Sequence, residues 1–140
     1  MKALTATLAF GLLACERVVY APWAEPYEAL AIIEGVDPVE YPVAVEVPPN
    51  VRRGERFTVS VRTYVDGCDA KGRTQAENRE TRARIVVYSL IGVSANCTIT
   101  RVYEHATEFK FDEAGAASVT VVGRSETRGI VENTYPVIVR

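Results

Sequence analysis

The chain has 140 residues, which is enough for one ordinary globular domain and too few for two. Hydrophobic residues make up 48% of the sequence and charged residues 24%, a balance that excludes an intrinsically disordered chain. The formal net charge of −2 comes from 16 basic and 18 acidic side chains, so no excess of positive charge favours nucleic acid as a partner.

Residues 1–14 have the pattern of a secretory leader. Lys2 gives a positive start, and the apolar run from Ala3 to Leu13 is too short to cross a hydrocarbon core of roughly 30 Å as a helix. The run ends in Leu12-Leu13-Ala14-Cys15, which resembles the lipobox of bacterial lipoproteins. The resemblance implies that Cys15 is acylated and becomes the first residue of the mature chain. A plain secretory signal with an incidental cysteine, or a buried strand, is the alternative interpretation.

The segment after the predicted anchor is rich in proline. Six of the seven prolines lie between Glu16 and Asn50, and proline is unfavourable in helices and central strands. We therefore expect residues 15–40 to form a lipid-anchored tether that docks on the domain. Within it, Tyr27 to Gly35 is apolar enough for either a helical turn or a first strand. Tyr20, Trp23 and Tyr27 could form an exposed aromatic patch, but we favour their covering one end of the domain.

From residue 41 onward the hydrophobic period changes to two, which is typical of half-buried strands. Asp66 to Thr81 is polar, contains Gly67 and Gly72, and is predicted to be a long exposed loop. Residues 41–140 are thus predicted to form an all-β, antiparallel sandwich of about seven strands, with an open barrel or jelly roll as the alternative. The predicted strands lie near Val43–Val47, Phe57–Val65, Arg84–Gly92, Cys97–Tyr103, Phe109–Phe111, Val119–Val122 and Asn133–Val139.

Two stretches of this region resemble the immunoglobulin-like domains of bacterial secreted proteins. The first is Val47-Pro48-Pro49 followed by Gly54-Glu55-Arg56-Phe57-Thr58-Val59, and the second runs from Phe109 to Gly115 and on through Val119 to Arg124. The resemblance implies a single immunoglobulin-like β-sandwich after the leader and the extended segment. It departs from antibody domains, because Trp23 does not lie between Cys68 and Cys97. It carries over no catalytic residue.

Cys68 and Cys97 remain once Cys15 is assigned to lipid. An even pair in an exported chain is expected to form a disulfide, because the compartment outside the cytoplasm is oxidising. The dipeptides Gly67-Cys68 and Asn96-Cys97 also resemble those of a group of bacterial lipoproteins with one such bond. A metal site of Cys68, Cys97 and His105, with Asp69, is the weaker alternative because the paired spacing of metal ligands is missing.

Residues suited to catalysis are few. His105 is the one histidine of the chain and is predicted to lie in a turn or at the surface, at the end of a strand. No G-x-S-x-G motif presents a serine nucleophile. The acidic residues between Asp66 and Glu80 lack the ligand spacing of a calcium loop and are interleaved with basic residues. We therefore predict no catalytic residue, no metal and no cofactor.

These patterns favour a non-enzymatic lipoprotein of the bacterial cell envelope, periplasmic or on the outer surface. Its expected partners are the membrane, through acylated Cys15, and an envelope protein. The predicted loop is the expected binding surface, because loops on a rigid scaffold are free to vary and bind. Its binding residues are predicted to be Asp69, Lys71, Arg73, Glu77 and Arg79. Removal of Ala70–Asn78 is expected to spare folding but to abolish partner binding. The alternative function is a module that binds a small ligand, a carbohydrate or a metal.

Overall fold

The computed structural model describes residues 25–35, 44–65, 67–93 and 100–140. The predicted leader, Cys15, Tyr20, Trp23 and Cys97 lie outside these ranges. Within them the chain forms ten strands and no helix, and therefore no helix of the length and apolar character needed to cross a bilayer. The strands are β1 Tyr27–Leu30, β2 Ile32–Glu34, β3 Ala44–Glu46, β4 Asn50–Val51, β5 Arg56–Val65, β6 Ala70–Arg79, β7 Arg82–Ile91, β8 Arg101–Lys110, β9 Gly115–Ser125 and β10 Gly129–Val139.

The core is built from strands whose apolar residues alternate with polar ones. Val59 and Val61 of β5, with Ile85 and Val87 of β7, are fully buried, because successive side chains of a strand point to opposite faces. Phe111 follows β8 and is also fully buried. The core cluster joins residues of β5 and β8 to residues of β7, β9 and β10. The inward faces of these two groups of strands therefore pack against each other.

All ten strands belong to one connected mixed sheet. One arm is β3–β5–β8, in which β5 and β8 pair antiparallel over their full length. The other arm is β6–β7–β9–β10–β4, in which β7 pairs parallel to β9 and β9 forms an antiparallel hairpin with β10. The two arms meet through β2, and the sheet remains open between β6 and β8.

The segment from Tyr27 to Glu34 inserts between β7 and β9. β1 pairs antiparallel with the last residues of β7, from Tyr27 opposite Ile91 to Leu30 opposite Tyr88. At Ala31 the chain changes partner, and β2 pairs with β9 and β5. Of the two conformations open at the sequence level, the strand is the one formed. Gly123 makes this packing possible, because a Cβ there would lie 2.6 Å from Cγ2 of Ile33.

The predictions of about seven strands and of purely antiparallel pairing are wrong. In the part of the chain that the structure describes, ten strands form and three pairings are parallel: β7 with β9, β2 with β9, and β4 with β10. The additional strands β1, β2 and β4 are four residues or fewer, too short to give a period-two signal. In contrast, the described parts of the strands predicted near Cys97–Tyr103 and Phe109–Phe111 belong largely to one strand, β8; residues 97–99 lie outside the described ranges.

The predicted loop from Asp66 to Thr81 is also wrong, because Ala70–Arg79 is strand β6. It pairs with β7 through a tight turn at Glu80, whose φ of 45° lies in the left-handed region. A register shift between Lys71 and Thr74 interrupts the ladder. β6 is polar because it is paired on one side alone and most of its side chains face solvent. Such a strand carries no hydrophobic alternation and therefore resembles a loop in sequence.

Candidate binding cleft

One end of the sheet brings together segments that are far apart in sequence. Val65 at the end of β5 lies opposite Arg101 at the start of β8, and Ser125 at the end of β9 lies opposite Gly129 at the start of β10. The end of β7 adjoins the starts of β6 and β1. We call this region the upper end: it is where β5, β7 and β9 finish and where β1, β6, β8 and β10 begin.

A partly enclosed cleft opens at the upper end. It holds about 250 Å³ and is lined by residues of β2, β5, β7 and β9 with the turns beside them: Ile32, Tyr64, Val65, Asp69, Ser89, Ile91, Arg124 and Glu126. We call it the Asp69 cleft. Tyr64 and Ser89 are buried, with 4% and 3% of their surfaces exposed. Asp69 is held in place because its Oδ1 accepts a hydrogen bond of 3.0 Å from the backbone N–H of Gly92.

The lining of the Asp69 cleft is mainly polar, with groups of both charges beside the apolar side chains of Ile32, Val65 and Ile91. Arg124 offers a guanidinium that binds carboxylates or phosphates, while Asp69 and Glu126 offer acceptors for an amino or hydroxyl group. A groove at the opposite end, between Pro48 and Arg140, is larger at about 420 Å³ but opens more widely to solvent. The Asp69 cleft is therefore the more suitable of the two to surround a ligand or a protruding side chain.

The five residues predicted to bind are not brought together. Asp69 lines the cleft, but Lys71 does not, and it donates a hydrogen bond of 2.7 Å to the backbone oxygen of Glu104. Arg73 points to the other side of β6, where it pairs with Glu28 at 2.7 Å. Its guanidinium also lies 4.4 Å from the ring centre of Tyr88. The register shift in β6 separates these neighbouring side chains.

The remaining two predicted residues lie further along β6. Glu77 is exposed and lies opposite Arg84 of β7, and Arg79 is exposed beside the turn at Glu80. This places both near the lower end of the sheet, away from Asp69. The cleft residues Tyr64, Ser89 and Arg124 had no signal in the sequence, because they come from three strands that become neighbours only in the fold.

His105 is not the surface or turn histidine that the sequence predicts. It lies within β8 with 1% of its surface exposed, opposite Val61 of β5. Nδ1 shares a hydrogen bond of 2.7 Å with Oγ1 of Thr74 in β6, while Nε2 is buried without a hydrogen-bond partner among the described residues. Burial, aided by the charge of Lys71, lowers the pKa of His105 to about 4. The imidazole is therefore neutral at ordinary pH.

The imidazole belongs to the contact that joins the open edges of the sheet. No backbone ladder joins β6 to β8 within the described residues. Instead, the pair Thr74–His105 lies between two bonds from β6 side chains to β8 carbonyls: Lys71 to Glu104, and Asn78 to Lys110 at 2.7 Å. We call this contact the β6–β8 seam. Its position inside the fold indicates a structural role for His105.

Glu34 forms a second polar cluster at the upper end. Its carboxylate accepts hydrogen bonds from the guanidinium of Arg128 and, at 2.8 Å, from Nδ2 of Asn133. The hydrogen bond from Asn133 and then the one from Arg128 lower the pKa of Glu34. The same carboxylate contributes, after burial, to a raised pKa of Tyr135. These contacts tie β2 to the β9–β10 hairpin beside the cleft.

The structure describes only some of the residues in the predicted disulfide and metal sites. Cys68 lies in the turn between β5 and β6, but its predicted partner Cys97 lies outside the described residues, so the disulfide stays a prediction. In the described ranges, no three His, Cys, Asp or Glu side chains form a group suited to hold a metal ion. Comparisons of the chain with family models, curated proteins and solved structures gave no match.

Proposed function

We propose that this chain is a lipid-anchored lipoprotein of the bacterial cell envelope whose immunoglobulin-like domain is a non-enzymatic interaction or accessory module. The observation that carries the proposed binding role is the Asp69 cleft, a partly enclosed and mainly polar site lined by one arginine and two carboxylates. It replaces the region around Lys71–Arg79 as the proposed binding surface. Acylated Cys15 supplies the anchor in this proposal, as its sequence context predicts.

The pairing of the short strands supports an immunoglobulin-like sandwich. Between residues 44 and 51 the chain pairs first with β5 through β3 and then with β10 through β4. One stretch of chain thus serves both arms, whose inward faces share a core. The parallel pairing of β7 with β9 is a departure from the antiparallel sheets of immunoglobulin domains.

The burial of His105 supports a non-enzymatic role. A general base must come within hydrogen-bond reach of the substrate, directly or through one water. The imidazole of His105 is 1% exposed, shares its Nδ1 with Thr74 and does not line the Asp69 cleft, so it offers no base to a substrate bound there.

Site-directed photocrosslinking of the full-length chain in cells tests the proposed binding role. A photoreactive residue at position 124 places the probe in the Asp69 cleft, and one at position 77 places it on the exposed lower part of β6. We expect position 124 to capture one dominant envelope protein, with loss of the product in Cys15→Ser. Equal capture at both positions would show that the cleft is not the binding surface. Capture at position 77 alone would show that β6, not the Asp69 cleft, is the binding surface.

The size of the Asp69 cleft also favours a second function, which is binding of a small polar ligand such as a sugar. About 250 Å³ lies just below the roughly 300–1,000 Å³ of typical ligand pockets, so only a small ligand fits. A ligand that fills the cleft stabilises the fold by about 2.7 kcal/mol at 100 times its dissociation constant. A panel of sugars and amino acids should then raise the melting temperature of the wild type but not of Arg124→Ala. No shift across the panel would disfavour this function.

A further inference from the structure

Exposed apolar side chains are concentrated at the upper end of the domain. Among the described residues, five large hydrophobic side chains are strongly exposed. Four of them lie at the upper end: Tyr27 (62%) opens β1, Val93 (41%) follows β7, and Val102 (46%) and Ile130 (71%) are the second residues of β8 and β10. The fifth, Ile138 (46%), lies near the last residue of β10 at the opposite end. Water-exposed apolar groups gathered at one end favour contact with another apolar phase.

The chain leading to the proposed anchor enters at this same end. β1 begins at Tyr27, twelve residues after Cys15. At roughly 3.5 Å per residue the connection spans at most about 40 Å, whatever its conformation. The chain that leads from the proposed acyl groups therefore enters its first strand at the upper end.

We propose that the upper end rests on the surface of the phospholipid bilayer, with Tyr27, Val93, Val102 and Ile130 at the level of the headgroups. This inference depends on the lipid anchoring in the proposed function and adds an orientation to it. Tyrosine suits the interface, because its ring is apolar and its hydroxyl stays hydrated. It places the Asp69 cleft beside the membrane, where a membrane-embedded partner could reach it.

The charges of the upper end indicate what kind of bilayer it fits. Arg101 and Arg124 are exposed there, but Asp69 and Glu126 lie close by, and Arg128 is paired with Glu34. Such a balanced surface gains little from the negative potential of anionic lipids, which requires clustered basic residues. We therefore expect the contact to form on zwitterionic phosphatidylcholine as well as on bilayers that contain phosphatidylglycerol.

Quenching of tryptophan fluorescence by lipids with brominated acyl chains tests the orientation. The acylated full-length mature chain is placed in phosphatidylcholine vesicles, with the one native tryptophan removed by Trp23→Phe. Val102→Trp then reports on the upper end and Ile138→Trp on the opposite end. The two positions are matched, since each native side chain is 46% exposed. Ile130→Trp is a second upper-end reporter in case Val102→Trp fails to fold.

We expect brominated lipid to quench tryptophan at positions 102 and 130 and to leave position 138 unquenched. Equal quenching at both ends, quenching at 138 alone, or no quenching of vesicle-bound protein would overturn the orientation. Failure of the anchor gives a different result, because the purified protein then lacks the mass of the acyl groups and does not float with vesicles. That result would overturn the anchoring, and the orientation with it.

Discussion

At the scale of single residues, His105 makes the stability of the fold depend on pH. Its pKa is about 4 in the folded chain and near 6.5 when unfolded, so between these values the unfolded chain binds more protons. Stability is therefore full above pH 6.5 and falls as the pH drops toward 4. The loss is at most about 3.5 kcal/mol for such a difference in pKa. Urea unfolding measured from pH 7.5 to 4.5 should show this decline.

The variant His105→Asn isolates the contribution of imidazole titration to the pH dependence of stability. Asparagine keeps a polar group near the position of Nδ1, where Thr74 can bond it, but it does not titrate. We expect the variant to be less stable than the wild type at pH 7 and nearly independent of pH above 5. Glu34 does not interfere with this comparison. Its pKa is lowered in the folded chain, so its stabilising contribution is lost only as the pH falls below 4.5, the ordinary pKa of a glutamate. An unchanged pH slope in His105→Asn would refute the assignment.

Also at the residue scale, Gly123 sets how closely β2 approaches β9. A Cβ at this position would lie 2.6 Å from Cγ2 of Ile33 and 2.9 Å from the backbone oxygen of Ala31, so neither neighbour has room to stay in place. We expect Gly123→Ala to destabilise the fold by about 1–3 kcal/mol, as overpacked cores do. Ala116→Ser, at an exposed position of the same strand, is the matched control. Equal melting temperatures for both variants would show that β2 is not packed this tightly.

At the scale of elements, the sequence and the structure predict opposite effects for deletion of β6. As a loop, Ala70–Asn78 would be dispensable. As a strand it covers one edge of β7, supplies Thr74 to His105, and carries both of the hydrogen bonds to β8 carbonyls in the seam. We expect deletion of Ala70–Asn78 to abolish cooperative thermal unfolding. Circular dichroism during a thermal melt measures this directly.

A surface variant of the same strand separates loss of β6 from loss of its charges. Gln75, Glu77 and Arg79 are all exposed, and none of them takes part in the β6–β8 seam. Their joint replacement by serine should change stability by less than about 1 kcal/mol, as is usual for surface positions. A cooperative transition in the deletion variant, equal to that of the serine variant, would mean that the β6 pairing is not needed for folding.

The elements also show which parts of the fold and of the site sequence patterns can predict. β5 and β10 were predictable because each puts apolar side chains at alternate positions, as Val59 and Val61 do, and β7 because of its β-branched run. β6 was not, since an exposed edge strand needs no such alternation. His105 could have been recognised, because it shares its phase in β8 with buried Phe109. The Asp69 cleft had no local signal, because its walls join β2, β5, β7 and β9 only through non-local pairing.

At the scale of the whole molecule, two connections between strands that meet at the upper end carry the cysteines of the predicted disulfide. The β5–β6 turn carries Cys68, and the connection from β7 to β8 carries Cys97. A disulfide between them would close a loop of about 30 residues and stabilise the fold by roughly 3–4 kcal/mol through the lost entropy of the unfolded chain.

Reduction therefore tests the predicted bond and its structural effect together. Dithiothreitol should lower the melting temperature of the exported wild type, since 3–4 kcal/mol is a large part of the stability of a domain of this size. The double variant Cys68→Ser, Cys97→Ser should melt at the temperature of the reduced wild type and should not respond to the reductant. Cys15→Ser serves as the control, because it removes the lipid but keeps the pair. A wild type that dithiothreitol leaves unchanged would show that the pair does not stabilise the fold.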